Sequence, residues 1–312
     1  AAVDEFRNPD WGQDIHDPFA FRDMRRSVER LARALEQKEK IAIYGDYDAD
    51  GVTAAALLTQ TFRVLGQEPV VYLPDRQTEG YGLHTAALER LARDGAKVLV
   101  TVDCGSSNVA EIAAAAKLGL DVIVTDHHAE PPERPQPFAL LNPSFADETY
   151  PFRSLSAGGV AYKLAQALLT HVEYGAALER PVAPAGWEKW LLDYVALSTV
   201  ADMVPLVGEN RTLVRYGLTV LSKSRHPGVR ALLKAARLNA AQVSEDDVAF
   251  VLVPRINAAG RMRHASTALR LLVTEDAAEA ERLADELTKT NVERQRRTAQ
   301  VFEACREQIG EQ

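Results

Sequence analysis

The chain has only two cysteines in 312 residues, Cys104 and Cys305. That is no basis for a disulfide framework and fits reduced thiols, with Cys104 read as a packed strand-end residue. No apolar run approaches the roughly 20 residues needed to span a bilayer. The N-terminus lacks a basic-then-apolar leader pattern, so a soluble, cytoplasmic protein with no membrane partner is expected. Aromatic residues make up 7% and form no stripe interleaved with basic ones, which leaves no sign of a base-stacking platform. Positive charge is not in excess either: 36 Lys and Arg face 44 Asp and Glu, for a net charge of −8. Internal repeats, low-complexity tracts and long charge blocks are absent. At 46% hydrophobic residues, the chain can bury a substantial core and exceeds one average domain.

Against that background, Tyr44 to Gly51 stands out as Tyr-Gly-Asp-Tyr-Asp-Ala-Asp-Gly, directly after the short apolar run Ile41, Ala42, Ile43. If that run is a strand, Asp46, Asp48 and Asp50 lie at its carboxyl end, where open α/β sheets bind ligands. Two later runs end alike. Lys97 to Val102 leads into Asp103, Cys104, Gly105, and Val122 to Thr125 into Asp126, His127, His128. Asp50 alone reads as a turn and helix cap, and a loop His pair alone as solvated. Three strands ending in acidic or imidazole groups point instead to one joint metal site. Carboxylates mixed with imidazoles favour manganese, with magnesium second. The ligand count admits two ions about 3.5–4 Å apart, the arrangement used in phosphoryl hydrolysis.

Strand-like runs at 41–44, 70–73, 98–102, 122–125 and 139–141 alternate with helix-like patterns at about 20–39, 52–65, 84–94 and 106–118. The alternation implies an α/β fold, a mainly parallel sheet with helices on both faces. Pro131, Pro132, Pro135 and Pro137 mark a loop. After Tyr150 the pattern becomes mostly helical, with an interruption from Pro181 to Gly186 before Trp187 and Trp190. We expect an α/β domain at 1–150, a mainly helical part at 151–275, and one long connecting helix at 276–312. The middle of that helix, Lys289 to Thr298, is nearly all polar, as for a helix bridging domains through solvent.

Asp202 lies among apolar residues in Leu197 to Val204. A buried carboxylate there needs a cation or donor, and a salt bridge or cap would serve as well as a metal. Ser156-Ala157-Gly158-Gly159 precedes the apolar pattern of Val160 to Leu169. Its glycines suit either an anion at a helix start or tight helix packing. Arg76, and Arg255, Arg261, Arg263 and His264 around Asn257, are grouped cations suited to phosphate, although ordinary surface ion pairs account for them too. Tyr81 could stack a base, but a structural role is the simpler reading.

The run Asp-Tyr-Asp-Ala-Asp-Gly, Val-Asp-Cys-Gly and Asp-His-His together resemble the signature motifs of the DHH phosphoesterase superfamily. Asp17-Pro18-Phe19, Arg76 to Leu83, Ser156 to Val160, Ser198 to Leu206 and Val253 to Met262 look like its RecJ branch of single-strand-specific exonucleases. The resemblance implies metal ligands at Asp48, Asp50, Asp103, His127 and Asp202, and a His128 that faces the scissile phosphate. Relatives acting on pyrophosphate or cyclic dinucleotides carry a histidine where this chain has Tyr44, and Asp46 is expected to substitute as ligand. The implied activity is metal-dependent 5′-to-3′ hydrolysis of single-stranded DNA to mononucleotides in repair and recombination, with Asp103 and His128 catalytic. Arg76, Gly158, Gly159, Arg255, Asn257 and Arg261 would contact substrate, and helicase and single-strand-binding proteins are candidate partners. The alternatives are a small-substrate DHH phosphodiesterase and a noncatalytic scaffold; the ligand set weighs against the latter. Neither a Gly-Gly-His domain nor an oligonucleotide-binding fold is recognisable. A catalytic core with weak or salt-sensitive nuclease activity is therefore expected.

Overall fold

A computed structural model describes residues 6–174 and 183–310. Five parallel strands form one sheet in the order β2-β1-β3-β4-β5: β1 Lys40–Gly45, β2 Val70–Tyr72, β3 Ala96–Val102, β4 Asp121–Thr125 and β5 Ala139–Leu141. All five lie where the apolar runs place them. Strands β1 and β3 are buried along nearly their whole length, which is why they read as continuous apolar runs rather than alternating ones.

Alternate strand residues face different cores. Ala42, Tyr44, Leu99, Val122 and Val124 pack with Leu88, Leu91 and Ile112 of α3 (Thr85–Arg93) and α4 (Val109–Lys117). Ile41, Ile43, Val98, Val100 and Ile123 pack into a larger cluster on the opposite face. There α1 (Met24–Glu36), α2 (Ala49–Val64), α5 (Ala157–Tyr174) and α6 (Leu192–Ala201) gather. Helices α2 and α6 are buried on nearly every side, as expected of helices apolar all round. The same core continues through α7 (Gly208–Leu221), α8 (Pro227–Ala235), α9 (Val253–Met262) and α10 (Ser266–Val273) to Leu283 and Leu287 of α11 (Ala277–Gly310).

Some boundaries differ from expectation for identifiable reasons. The first helical pattern, 20–39, resolves into a 3-10 turn at Pro18–Ala20, capped by the Asp17 side chain, and then α1. Helix α4 begins at Val109 rather than 106 because Gly105 adopts φ 114° and the Ser106 amide is bound to Asp126. Part of the 181–186 interruption lies outside the described residues, and Trp187–Leu191 forms a 3-10 turn. In α11 the first half packs against α8, α9 and α10. Thr290 and Asn291, within the polar stretch, are buried, so solvent surrounds the helix only beyond them.

The strand order reverses direction between β1 and β3, which creates a crevice at their carboxyl ends. Asp46 to Asp50 follow β1 and Asp103 follows β3.

Candidate metal centre

The turn after β1 is shaped by two contacts. Asp48 caps α2, its side chain accepting from the amides of Asp50 and Gly51. Gly51 lies so close to Asp46 that a Cβ would sit 2.6 Å from the Asp46 nitrogen, so glycine there lets Asp46, Asp48 and Asp50 share one turn. After β3, Asp103 takes the left-handed conformation with φ 64°, a strained position for a residue with a side chain. After β4 come Asp126, His127 and His128.

These ends converge. His127 Nε2 lies 3.1 Å from Asp103 Oδ1 and 3.6 Å from Asp50 Oδ2, and its Nδ1 lies 3.5 Å from Asp202 Oδ2. Two ligand sets with no residue in common result, linked by a third group of Asp103, Asp126, His127 and His128. Asp50, His127 and Asp202 form one, Asp46, Asp48 and Asp103 the other, with donor atoms in each set within 4.8 Å of one another. Asp103 touches both through His127. Asp202, the C-cap of α6, keeps 29% of its side chain exposed, so it opens toward the crevice rather than being sealed in the core.

Electrostatics makes the same point. Burial, with Asp48 beside it, raises the Asp46 carboxyl to about 7. Burial also raises Asp50, Asp202 and Asp103, and at Asp103 the neighbours Asp50, Asp48, Asp126 and Asp46 add repulsion. Asp46 Oδ1 is buried with no hydrogen-bond partner among the described residues. An orphan carboxylate oxygen inside a cluster of mutually repelling carboxylates fits a cation, because no protein donor among the described residues relieves it. The donor set, oxygens in one group and oxygens plus imidazole in the other, suits manganese or magnesium.

Asp126 plays a different part. Its fully buried carboxylate accepts from the amides of Ser106, His127 and His128 and contacts His128 Nδ1 at 2.8 Å. Burial alone would raise it, but the bonds from His128 and Ser106 win and hold it at about 2. His128 is raised by the Asp126 bond and keeps 44% of its side chain exposed. Asp126 thus orients His128, a role that its place at a strand end did not reveal. Tyr81 donates to the Asp103 carbonyl at 3.1 Å and stands 3.2 Å from His128 Nδ1, consistent with the structural reading. Tyr44 is fully buried on the α3/α4 face, its hydroxyl bound to the Gly82 carbonyl, so it supplies no ligand.

The expected substrate contacts divide. Arg76 lies 5.0 Å from the Tyr47 ring centroid and near enough to Asp46 to draw its carboxyl downward. Arg261 is exposed. Neither has a carboxylate partner among the described residues. Arg255 is spent on structure, Nη1 on the Val251 carbonyl at 2.6 Å and Nε 3.3 Å from Thr288. Asn257 Oδ1 accepts from the Ala49 amide at 2.9 Å and ties α9 to the start of α2. The glycines need correction as phosphate binders. The Gly158 amide goes to Asp50 Oδ1 and Ser198 Oγ, and the Gly159 amide goes to Ser156 Oγ. The helix start therefore holds a protein carboxylate, not a free anion.

With the geometry in place, comparison with known proteins defines the class: the model of the DHH family, N-terminal domain, matches residues 40–199, and the chain belongs to that family. Within it, the similarity is to exonucleases named RecJ. The chain is 39% identical over 299 residues to the single-stranded-DNA-specific exonuclease RecJ of Bacillus subtilis, covering 96% of this chain and 36% of that protein. The crystal structure of exonuclease RecJ bound to manganese superposes with a TM-score of 0.78 at 36% identity, covering 88% of this chain and 67% of that one. The crystal structure of RecJ in complex with Mn2+ from Thermus thermophilus gives 0.75 at 33% identity, covering 88% and 38%. The chain spans less than half the length of the curated RecJ relatives it matches.

Proposed function

We propose that this chain carries the catalytic core of a metal-dependent exonuclease that hydrolyses single-stranded DNA from its 5′ end, releasing mononucleotides during repair and recombination. The observation that carries the reading is the convergence of Asp46, Asp48, Asp50, Asp103, His127 and Asp202 in two ligand sets joined at Asp103. Two divalent ions, manganese first and magnesium second, would be held by those residues. When bound they supply a hydroxide-forming water and charge stabilisation at phosphate.

The chain's own groups do the rest. Asp126 holds Nδ1 of His128, so Nε2 is the nitrogen that can donate to a phosphate oxygen or to the leaving oxygen. Arg76 and Arg261, without carboxylate partners among the described residues, offer planar guanidinium forks that match phosphate oxygens. No covalent enzyme intermediate is required. Among the described residues no helix is long and apolar enough to cross a membrane. In this reading the enzyme works in the cytoplasm, with helicase and single-strand-binding proteins as candidate partners.

The test is digestion of 5′-labelled and 3′-labelled single strands with manganese by the parent and by Asp103→Ala. Early release of labelled mononucleotide from the 5′-labelled strand alone, lost in the variant, is expected. Preference for dinucleotides over long strands would move the assignment to a small-substrate phosphodiesterase.

A further inference from the structure

Asp50 is held more tightly than a metal ligand needs to be for the fold alone. Its fully buried carboxylate receives the Ala157 amide on Oδ2 at 2.9 Å, and the Gly158 amide at 3.2 Å together with the Ser198 hydroxyl on Oδ1. Ser198 is itself fully buried, 2.9 Å from both the Gly158 amide and Ser156 Oγ. A serine hydroxyl has one proton. Because that proton goes to Asp50, Ser198 must accept from Gly158 and Ser156. The chain of donors thus runs one way, toward Asp50. It also explains Gly158, where a Cβ would sit 2.3 Å from Ser198 Oγ.

The two carboxylate oxygens are consequently unequal. Oδ1 is saturated by two donors from protein, whereas Oδ2 has one and faces His127 Nε2 at 3.6 Å. We propose that Ser198, with the first turn of α5, is a positioning residue that restricts Asp50 to a one-oxygen ligand through Oδ2. This inference rests on the metal-dependent reading above. Its functional meaning is coordination number. Each ligand atom withheld by the protein leaves a position open on the ion for water or a phosphate oxygen, which hydrolysis requires. Removing the Ser198 donor frees Oδ1 to fill such a position.

The experiment is manganese titration with water-proton relaxivity as readout, on the parent, Ser198→Ala and Ser156→Ala. Ser156 touches Ser198 and Thr199 but not Asp50, so its variant controls for loss of a buried hydroxyl. The expected result is unchanged manganese stoichiometry throughout and, in Ser198→Ala alone, a relaxivity lower by about one bound water per protein. Hydrolysis by that variant should fall about 10-fold or more, in the range typical for outer-sphere partners of metal ligands. Ser198→Cys, which keeps the volume but donates weakly, should lie between and serves if the alanine variant does not fold. Parental relaxivity in Ser198→Ala and Ser198→Cys, or an equal drop in Ser156→Ala, would overturn the inference while leaving the metal centre standing. A parent chain that binds no manganese would overturn both.

Discussion

Lys163 and Glu209 meet at 2.5 Å between Nζ and Oε1 with both side chains fully buried. The lysine also donates to the His16 carbonyl at 2.8 Å, and Tyr150 donates to the glutamate. The pair pins the N-terminal segment to α5 and α7, on the helical side of the molecule. Burial drives the lysine pKa down against the pull of Glu209, so the charge is maintained at a cost. Replacing one partner should leave the other uncompensated. Lys163→Met is expected to cost about 3–5 kcal/mol in urea unfolding, and Lys163→Met with Glu209→Gln, which keeps an acceptor oxygen for Tyr150 and the His16 amide, to recover most of it. Equal loss in the single and double variants would show that the pair stabilises as a pair.

Asp103 combines two costs, a left-handed backbone and a carboxylate among carboxylates. Asparagine keeps the shape and tolerates that backbone while removing the charge. Without divalent metal, Asp103→Asn should therefore be more stable than the parent by about 1 kcal/mol, the usual sign of a site built for function. With manganese at a hundred times its dissociation constant, the parent should gain about 2.7 kcal/mol and overtake the variant. Thermal unfolding with chelator and with manganese checks both halves. A variant less stable than the parent in chelator would mean that burial and repulsion at Asp103 do not destabilise the metal-free chain.

The sheet and the gathering of most of these side chains were legible because parallel strands buried on both faces write themselves as apolar runs, and the acidic and imidazole groups at their ends follow directly in sequence. Asp46, Asp48, Asp50, Asp103 and His127 needed only that rule. Asp202 did not, since it caps a helix from a distant part of the chain, and only the resemblance placed it. The hydrogen bonds of Ser198 and Asn257 were beyond reach for a similar reason. Each depends on packing between segments remote in sequence, 148 residues apart for Ser198 and Asp50 and 208 for Ala49 and Asn257.

Gly158 is the position where two readings of the sequence stayed open, and packing separates them. If its role is closeness to Ser198, Gly158→Ala must push that side chain away, at about 1–3 kcal/mol for an overpacked site. Manganese binding should weaken with it, before any DNA is added. A variant with parental stability and metal binding but weaker DNA binding would restore the phosphate reading.

The arginines offer a test on substrate alone. A side chain that neutralises a phosphate releases a counterion, so its loss lowers the slope of log affinity against log salt by about 0.7 on single strands. Arg76 stacks on Tyr47 at the edge of the carboxylate cluster and Arg261 stands exposed on α9, each without a carboxylate partner among the described residues. Arg76→Gln and Arg261→Gln should each reduce the slope by that amount and weaken binding to all sequences alike. Arg255 is bonded to Val251 and Thr288, so Arg255→Gln should lower unfolding stability and leave the slope unchanged. Anisotropy titrations of a labelled single strand at several salt concentrations, in calcium to suppress cleavage, measure all three. If Arg255 alone altered the slope, the phosphate track would run along α11 rather than past Tyr47.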